Sequence, residues 1–146
     1  MANTSMTAKE LQAWLKTNFP KEDERYEWKE WLSLKSNVAG RKGEDLVSYV
    51  SALSNMDGGC VVIGVQDKTL SVTGIADFAD YTLENVIHRI LGRTPGLPSV
   101  GLSIEARQAS DTGATIWLVH VPSHAPRQPV HAHDKAWQRD GDSLVE

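Results

Sequence analysis

Apolar residues recur at helical spacing in three stretches of the chain, with short apolar runs between them. Leu11, Trp14 and Leu15 follow Thr7-Ala-Lys-Glu10, which has the form of a capping box. This predicts a first helix that stops near Asn18-Phe-Pro20, since proline disfavours helix in the residue before it. Leu46, Val47, Val50 and Leu53 mark one face of a second helix over 44–55. Leu83, Val86, Ile87, Ile90 and Leu91 mark a third over 81–91. Residues 26–34, rich in Trp and Leu, read as a strand, and the continuous run 60–65 as a buried one. A short returning strand is expected over 70–75. Strands over 100–107 and 115–121 flank Ser110-Asp-Thr-Gly113, a hairpin signal, and a last strand is expected over 135–139. Loops are expected at Gly40-Arg-Lys-Gly43 and Thr94-Pro-Gly-Leu-Pro98, and three prolines make 122–129 extended or irregular. The order of elements predicts an α+β domain: a mixed β-sheet with two to three helices packed against it.

At 146 residues the chain is long enough for one substantial core. It divides into an N-terminal helical segment, 1–20, and a main domain, 21–146. A formal charge of −4 argues against nucleic-acid binding by bulk electrostatics and leaves that task to local patches. No apolar run approaches the roughly 18 residues of a membrane span. The N-terminus lacks the basic flank and apolar run of a secretory signal. Cys60, the single cysteine, precludes an intrachain disulfide and agrees with a reducing compartment. These features predict a cytoplasmic protein without a membrane partner.

Candidate chemistry concentrates where the turn Asp57-Gly-Gly59 feeds the apolar run 60–65, which ends at the carboxylate of Asp67. On a strand over 26–34, Glu27, Lys29 and Trp31 share one face. A lysine there can keep a neighbouring glutamate ionised and reach a phosphate. Glu22, Glu27 and Asp67, if brought together, would hold a hard cation such as Mg²⁺ through oxygen ligands, and that ion would activate water. The competing reading is a solvated strand face with a weak surface ion pair.

Arg41 and Lys42 precede a predicted helix, whose N-terminal N–H groups attract phosphate. Glu44 and Asp45 already place negative charge there. The Gly-Lys-Ser/Thr ending of a P-loop is missing. His131-Ala-His133 with Asp134 has the look of a partial zinc set. A polar loop is the better reading: zinc usually takes four ligands, or three and a water, and although His120 and His124 are further histidines there is no second cysteine. His120, inside an apolar strand, reads as structural. Trp14 and Trp117 read as core; Trp28, Trp31 and Trp137 either pack on the sheet or offer stacking platforms for bases.

Several of these segments, taken together, resemble the Schlafen AlbA_2-type domain, also called divergent AAA-4. They are Glu22, Glu27-Trp-Lys29, Ser51-Ala-Leu-Ser-Asn-Met-Asp-Gly-Gly59, Val62-Ile-Gly-Val-Gln-Asp67 and Thr73-Gly-Ile75. Trp117-Leu-Val-His-Val-Pro122, Pro129 and Trp137-Gln-Arg139-Asp-Gly141 extend the likeness over residues 22–146. Trp28 stands where the family usually has phenylalanine, and Met56-Asp57 replaces a threonine-containing pair. The resemblance implies a domain that binds nucleic acid, DNA or RNA, often as the N-terminal module of a bacterial regulator or defence protein with a further C-terminal domain. Arg41, Lys42 and Arg139 are the expected nucleic-acid contacts; Arg139 could equally pair with a carboxylate. In the Schlafen branch the resemblance implies a metal-dependent endoribonuclease acting on tRNA-like substrates. Glu22, Glu27 and Asp67 would then hold Mg²⁺ or Mn²⁺ and Lys29 would meet the scissile phosphate; no other cofactor is implied. A third class, a protein-interaction or homo-oligomerisation module, draws on the negative net charge.

Overall fold

The computed structural model of the chain describes residues 5–20, 23–66, 69, 71–140 and 143–145, the side chains of 139, 140 and 143 excepted. Helix α1 spans Ala8–Asn18 and has the predicted start. Thr7 accepts a hydrogen bond from the Glu10 amide, and the Glu10 side chain accepts from the Thr7 amide. Strand β1, Tyr26–Lys29, pairs in parallel with β2, Gly59–Ile63. Helix α2, Leu46–Asn55, lies between them in the chain. Helix α3, Leu83–Arg93, precedes β3, Ser103–Gln108, and β4, Thr115–Val121, which form the predicted hairpin. The sheet runs β1-β2-β4-β3 with β2 antiparallel to β4, so the architecture is α+β with a mixed sheet. Two small hairpins follow: β5, His131–Ala132, with β6, Lys135–Ala136; then β7, Gln138–Asp140, with β8, Ser143–Val145.

Alternation along the strands divides the core in two. Trp28, Cys60, Val62, Ile116 and Leu118 face Leu11 and Leu15 of α1. Val61, Ile63, Trp117 and Val119 face the other way, onto Val50 and Leu53 of α2 and Val86 and Ile90 of α3. Residues 46–54 of α2 are all buried, although only one face was expected to be. Beyond the sheet, the small hairpins close over this helix. Asn55 ties them down: its amide nitrogen donates to the carbonyls of Val130 and Trp137, and its oxygen accepts from the Val130 amide. Among the described residues, no helix is long and apolar enough to cross a membrane.

Several expected boundaries shift, each for a tertiary reason. The strand expected over 26–34 stops at Lys29, whose carbonyl accepts from the amides of both Gly64 and Val65. Residues 32–34 then leave the sheet and bond to the 76–77 segment through Leu32 and Leu34. The return over 70–75 is reduced, among the described residues, to a bridge between Val65 and Val72. The strand expected over 135–139 is split at Trp137, whose buried indole donates to the Ala132 carbonyl. Trp14 packs at the edge of the α1-side core, partly buried, with the Arg107 guanidinium 3.9 Å from its ring centroid.

One helix position carries an avoidable conformational cost. A Cβ built on Gly92 meets nothing within 4 Å, and its backbone is not in the left-handed region. Gly92→Ala is expected to raise stability by about 0.5–1 kcal/mol, read as a higher denaturant midpoint at unchanged slope.

Candidate nucleic-acid interface

The parallel register sets Glu27 beside Val61 and Lys29 beside Ile63, on the α2 side of the sheet. Glu27 is buried there, at 7% exposure, so this is not a solvated face. Lys29 is half-buried and held by α2: its Nζ donates to the Tyr49 hydroxyl at 2.8 Å and lies 4.2 Å from that ring's centroid. The Trp31 ring is 6.0 Å from the same ammonium. The sequence therefore delivers Glu27, Lys29 and Trp31 to one region, with Tyr49 as an unforeseen fourth member. Glu22 and Asp67 lie outside the described residues. Among those described, no group of three or more His, Cys, Asp or Glu side chains is assembled to hold a metal ion.

The loop before α2 is organised around a carboxylate. Asp45 is the N-cap, fully buried, and accepts from the Ser48 amide at 3.1 Å and the Ser48 hydroxyl at 2.6 Å. Its second oxygen accepts from the Gly40 amide at 2.7 Å and meets His133 Nε2 at 2.8 Å. The Gly43 amide donates to the Ser48 hydroxyl. The donors that would attract a phosphate here are thus engaged internally. Arg41 pairs with Glu44 at 2.6 Å, both largely exposed, and Lys42 is exposed at the loop surface.

His133 and Asp134 both have positive φ and form the turn between β5 and β6. His131 and His133 therefore do not share a strand face, and the polar-loop reading is the one the backbone adopts. His120 makes a 3.3 Å contact with Glu105, which also accepts from Arg107. Trp28 and Trp137 are buried and donate to the Phe19 and Ala132 carbonyls, which removes them as stacking platforms. Arg139 lies in β7 opposite Leu144, and its side chain is outside the described part. Burial pushes the Cys60 thiol far above its ordinary range, so it is unreactive in the folded chain.

A second cationic region lies on α3. Its apolar stripe faces the core and leaves His88, Arg89, Gly92 and Arg93 exposed. With Tyr81 and Asn85 these residues line a shallow groove. Arg25, Arg41 and Arg107 each close on a carboxylate, whereas Arg89 and Arg93 have no ion pair among the described residues. Part of the signal was present in the sequence: Arg89 lies within the helix expected over 81–91, whereas Arg93 falls beyond that expected end and joins the helix in the structure. The apolar periodicity that located the helix gave no reason to weigh its other face.

Comparison with known proteins follows this geometry. No curated protein matches the chain. The DIP2311 protein from Corynebacterium diphtheriae is similar in structure, with a TM-score of 0.59 and 20% identity over 84% of this chain. The chain spans only 22% of that protein. A second similar structure is the N-terminal domain of a Nitrosomonas europaea protein provisionally described as ATP-dependent DNA helicase RecG-related. Its TM-score is 0.56 at 18% identity, covering 96% of this chain and 89% of that domain. At these identities the likeness is one of fold. A sequence model described as Schlafen, AlbA_2 matches residues 22–146. The chain therefore belongs to the Schlafen AlbA_2 family.

Proposed function

We propose that this chain is a nucleic-acid-binding domain. Membership of the Schlafen AlbA_2 family over residues 22–146 carries the reading. The similar domain of a RecG-related, helicase-described protein supports it. The net charge of −4 requires contact through local cations rather than through the whole surface. A second reading, a metal-dependent endoribonuclease, is favoured by one observation: Glu27 is buried on β1 two residues from a lysine that α2 holds in place. In that reading Glu22, Glu27 and Asp67 would hold Mg²⁺ or Mn²⁺, and Lys29 would meet the phosphate.

One experiment separates the two. Labelled tRNA and single-stranded DNA are incubated with the domain, with Mn²⁺ or with chelator, and analysed on native and denaturing gels beside Asp67→Ala. Retarded but intact nucleic acid, released as salt rises, is the expected result. Metal-dependent cleavage lost in Asp67→Ala would replace it with the nuclease. Neither binding nor cleavage would sink both and leave an interaction module.

A further inference from the structure

We infer that the exposed face of α3 is the surface on which a single strand of nucleic acid lies, with phosphates on Arg89 and Arg93 and a base against Tyr81. The inference rests on the nucleic-acid-binding reading and names where and how the contact is made.

The observations come from one helix. Arg89 and Arg93 are exposed and one turn apart, about 6 Å of helix rise, on the flank of the helix beside the buried Val86 and Ile90. Long arginine side chains at that separation can engage neighbouring phosphates, and guanidinium forks suit phosphate oxygens. Arg93, in the last turn, complements the helix dipole. Arg89 lies a turn further in and closes on no carboxylate among the described residues.

Gly92, with open space where a side chain would project, keeps the helix surface low beside both arginines and lets a backbone approach. His88, also exposed, lines the same groove and adds a further donor. Asn85 is not counted as a ligand: its oxygen accepts from the Thr82 amide and its nitrogen donates to the Asp80 carbonyl. Tyr81, half-buried against the core, lines the groove with these cations. A groove with an aromatic ring at one end and guanidinium groups toward the other suits a strand with accessible bases better than an acidic peptide, which would use the charges alone.

The positive stripe has a defined end. Gly92 and Arg93 also border a second groove, lined by Pro95, His131, His133 and Asp134, where a carboxylate enters the lining. A bound strand is therefore expected to run along α3 rather than across the β5–β6 turn.

The test is fluorescence anisotropy with a labelled 20-nucleotide DNA, its RNA equivalent, a duplex of the DNA and a poly-glutamate peptide, from 50 to 200 mM KCl. Arg89→Gln/Arg93→Gln is compared with wild type and with Lys9→Gln/Lys16→Gln on α1; all four residues are exposed, and melting curves confirm folding. The double α3 variant is expected to bind the single strands at least tenfold more weakly, with a log–log salt slope shallower by roughly one to two. The α1 variant should stay within about twofold. Tyr81→Leu, which keeps an apolar side chain against the core, should weaken single-strand binding about fivefold or more and duplex binding less. Wild-type binding with the α3 variant unchanged would overturn the assignment of this face while leaving the binding function standing. No wild-type binding to any nucleic acid would overturn both. Arginine-dependent capture of poly-glutamate with none of nucleic acid would also overturn the proposal.

Discussion

Asp45→Ala is expected to destabilise the domain by about 3–5 kcal/mol in chemical denaturation, because it removes the acceptor at the centre of a buried network. Four donors converge on that carboxylate: the Gly40 and Ser48 amides, the Ser48 hydroxyl and the His133 ring. Alanine leaves buried N–H groups with nothing to bond and strips α2 of its N-cap. The same change cuts the link between the 40–45 loop and the β5–β6 turn, so the C-terminal hairpins should loosen with the helix. His133→Ala should cost less, about 1–2 kcal/mol, since Asp45 keeps its other donors and the imidazole is a quarter exposed. A loss below about 1 kcal/mol for Asp45→Ala would show that the carboxylate does not organise this region.

Gly59→Ala is expected to cost about 4 kcal/mol or to abolish soluble expression, the penalty of forcing atoms into a packed backbone contact. A Cβ on Gly59 would overlap the Arg25 carbonyl oxygen and stand 2.8 Å from its carbon. That oxygen accepts from the Cys60 amide at 2.8 Å, at the start of the β1–β2 pairing. Relief would require the two parallel strands to separate, displacing Glu27 and Lys29 with them. Gly92→Ala, in open space, provides the contrast within one chain. A Gly59→Ala protein within about 1 kcal/mol of wild type would mean that β1 can shift without loss of the fold.

The legible parts of the chain were those written locally. The Thr7–Glu10 capping box starts α1 as expected, and the apolar strand expected over 115–121 matches β4 residue for residue. The chain's motifs were legible as a pattern but not as roles. Asn55 clamps the C-terminal segment, Gly59 permits the β1–β2 approach, and the Gly64 carbonyl collects the Thr73 and Gly74 amides. These residues build the scaffold.

What the sequence could not reveal came from distant partners. Nothing near Lys29 in the chain announces Tyr49, and nothing near Asp45 announces His133, 88 positions away. The end of β1 depends on amides from Gly64 and Val65, which periodicity over 26–34 does not see. The paired arginines of α3 stand out only beside Arg25, Arg41 and Arg107, each of which closes on a carboxylate.

The most direct measurement of the central claim is a titration of the ¹⁵N-labelled domain with a 12-nucleotide single strand at low salt, followed by amide chemical shifts. Saturable shifts concentrated on residues 81 and 88–93, with the isolated Gly92 signal among the largest, are the predicted result. Shifts confined to Lys29, Tyr49 and the neighbouring strand ends, or no shifts at all, would contradict it.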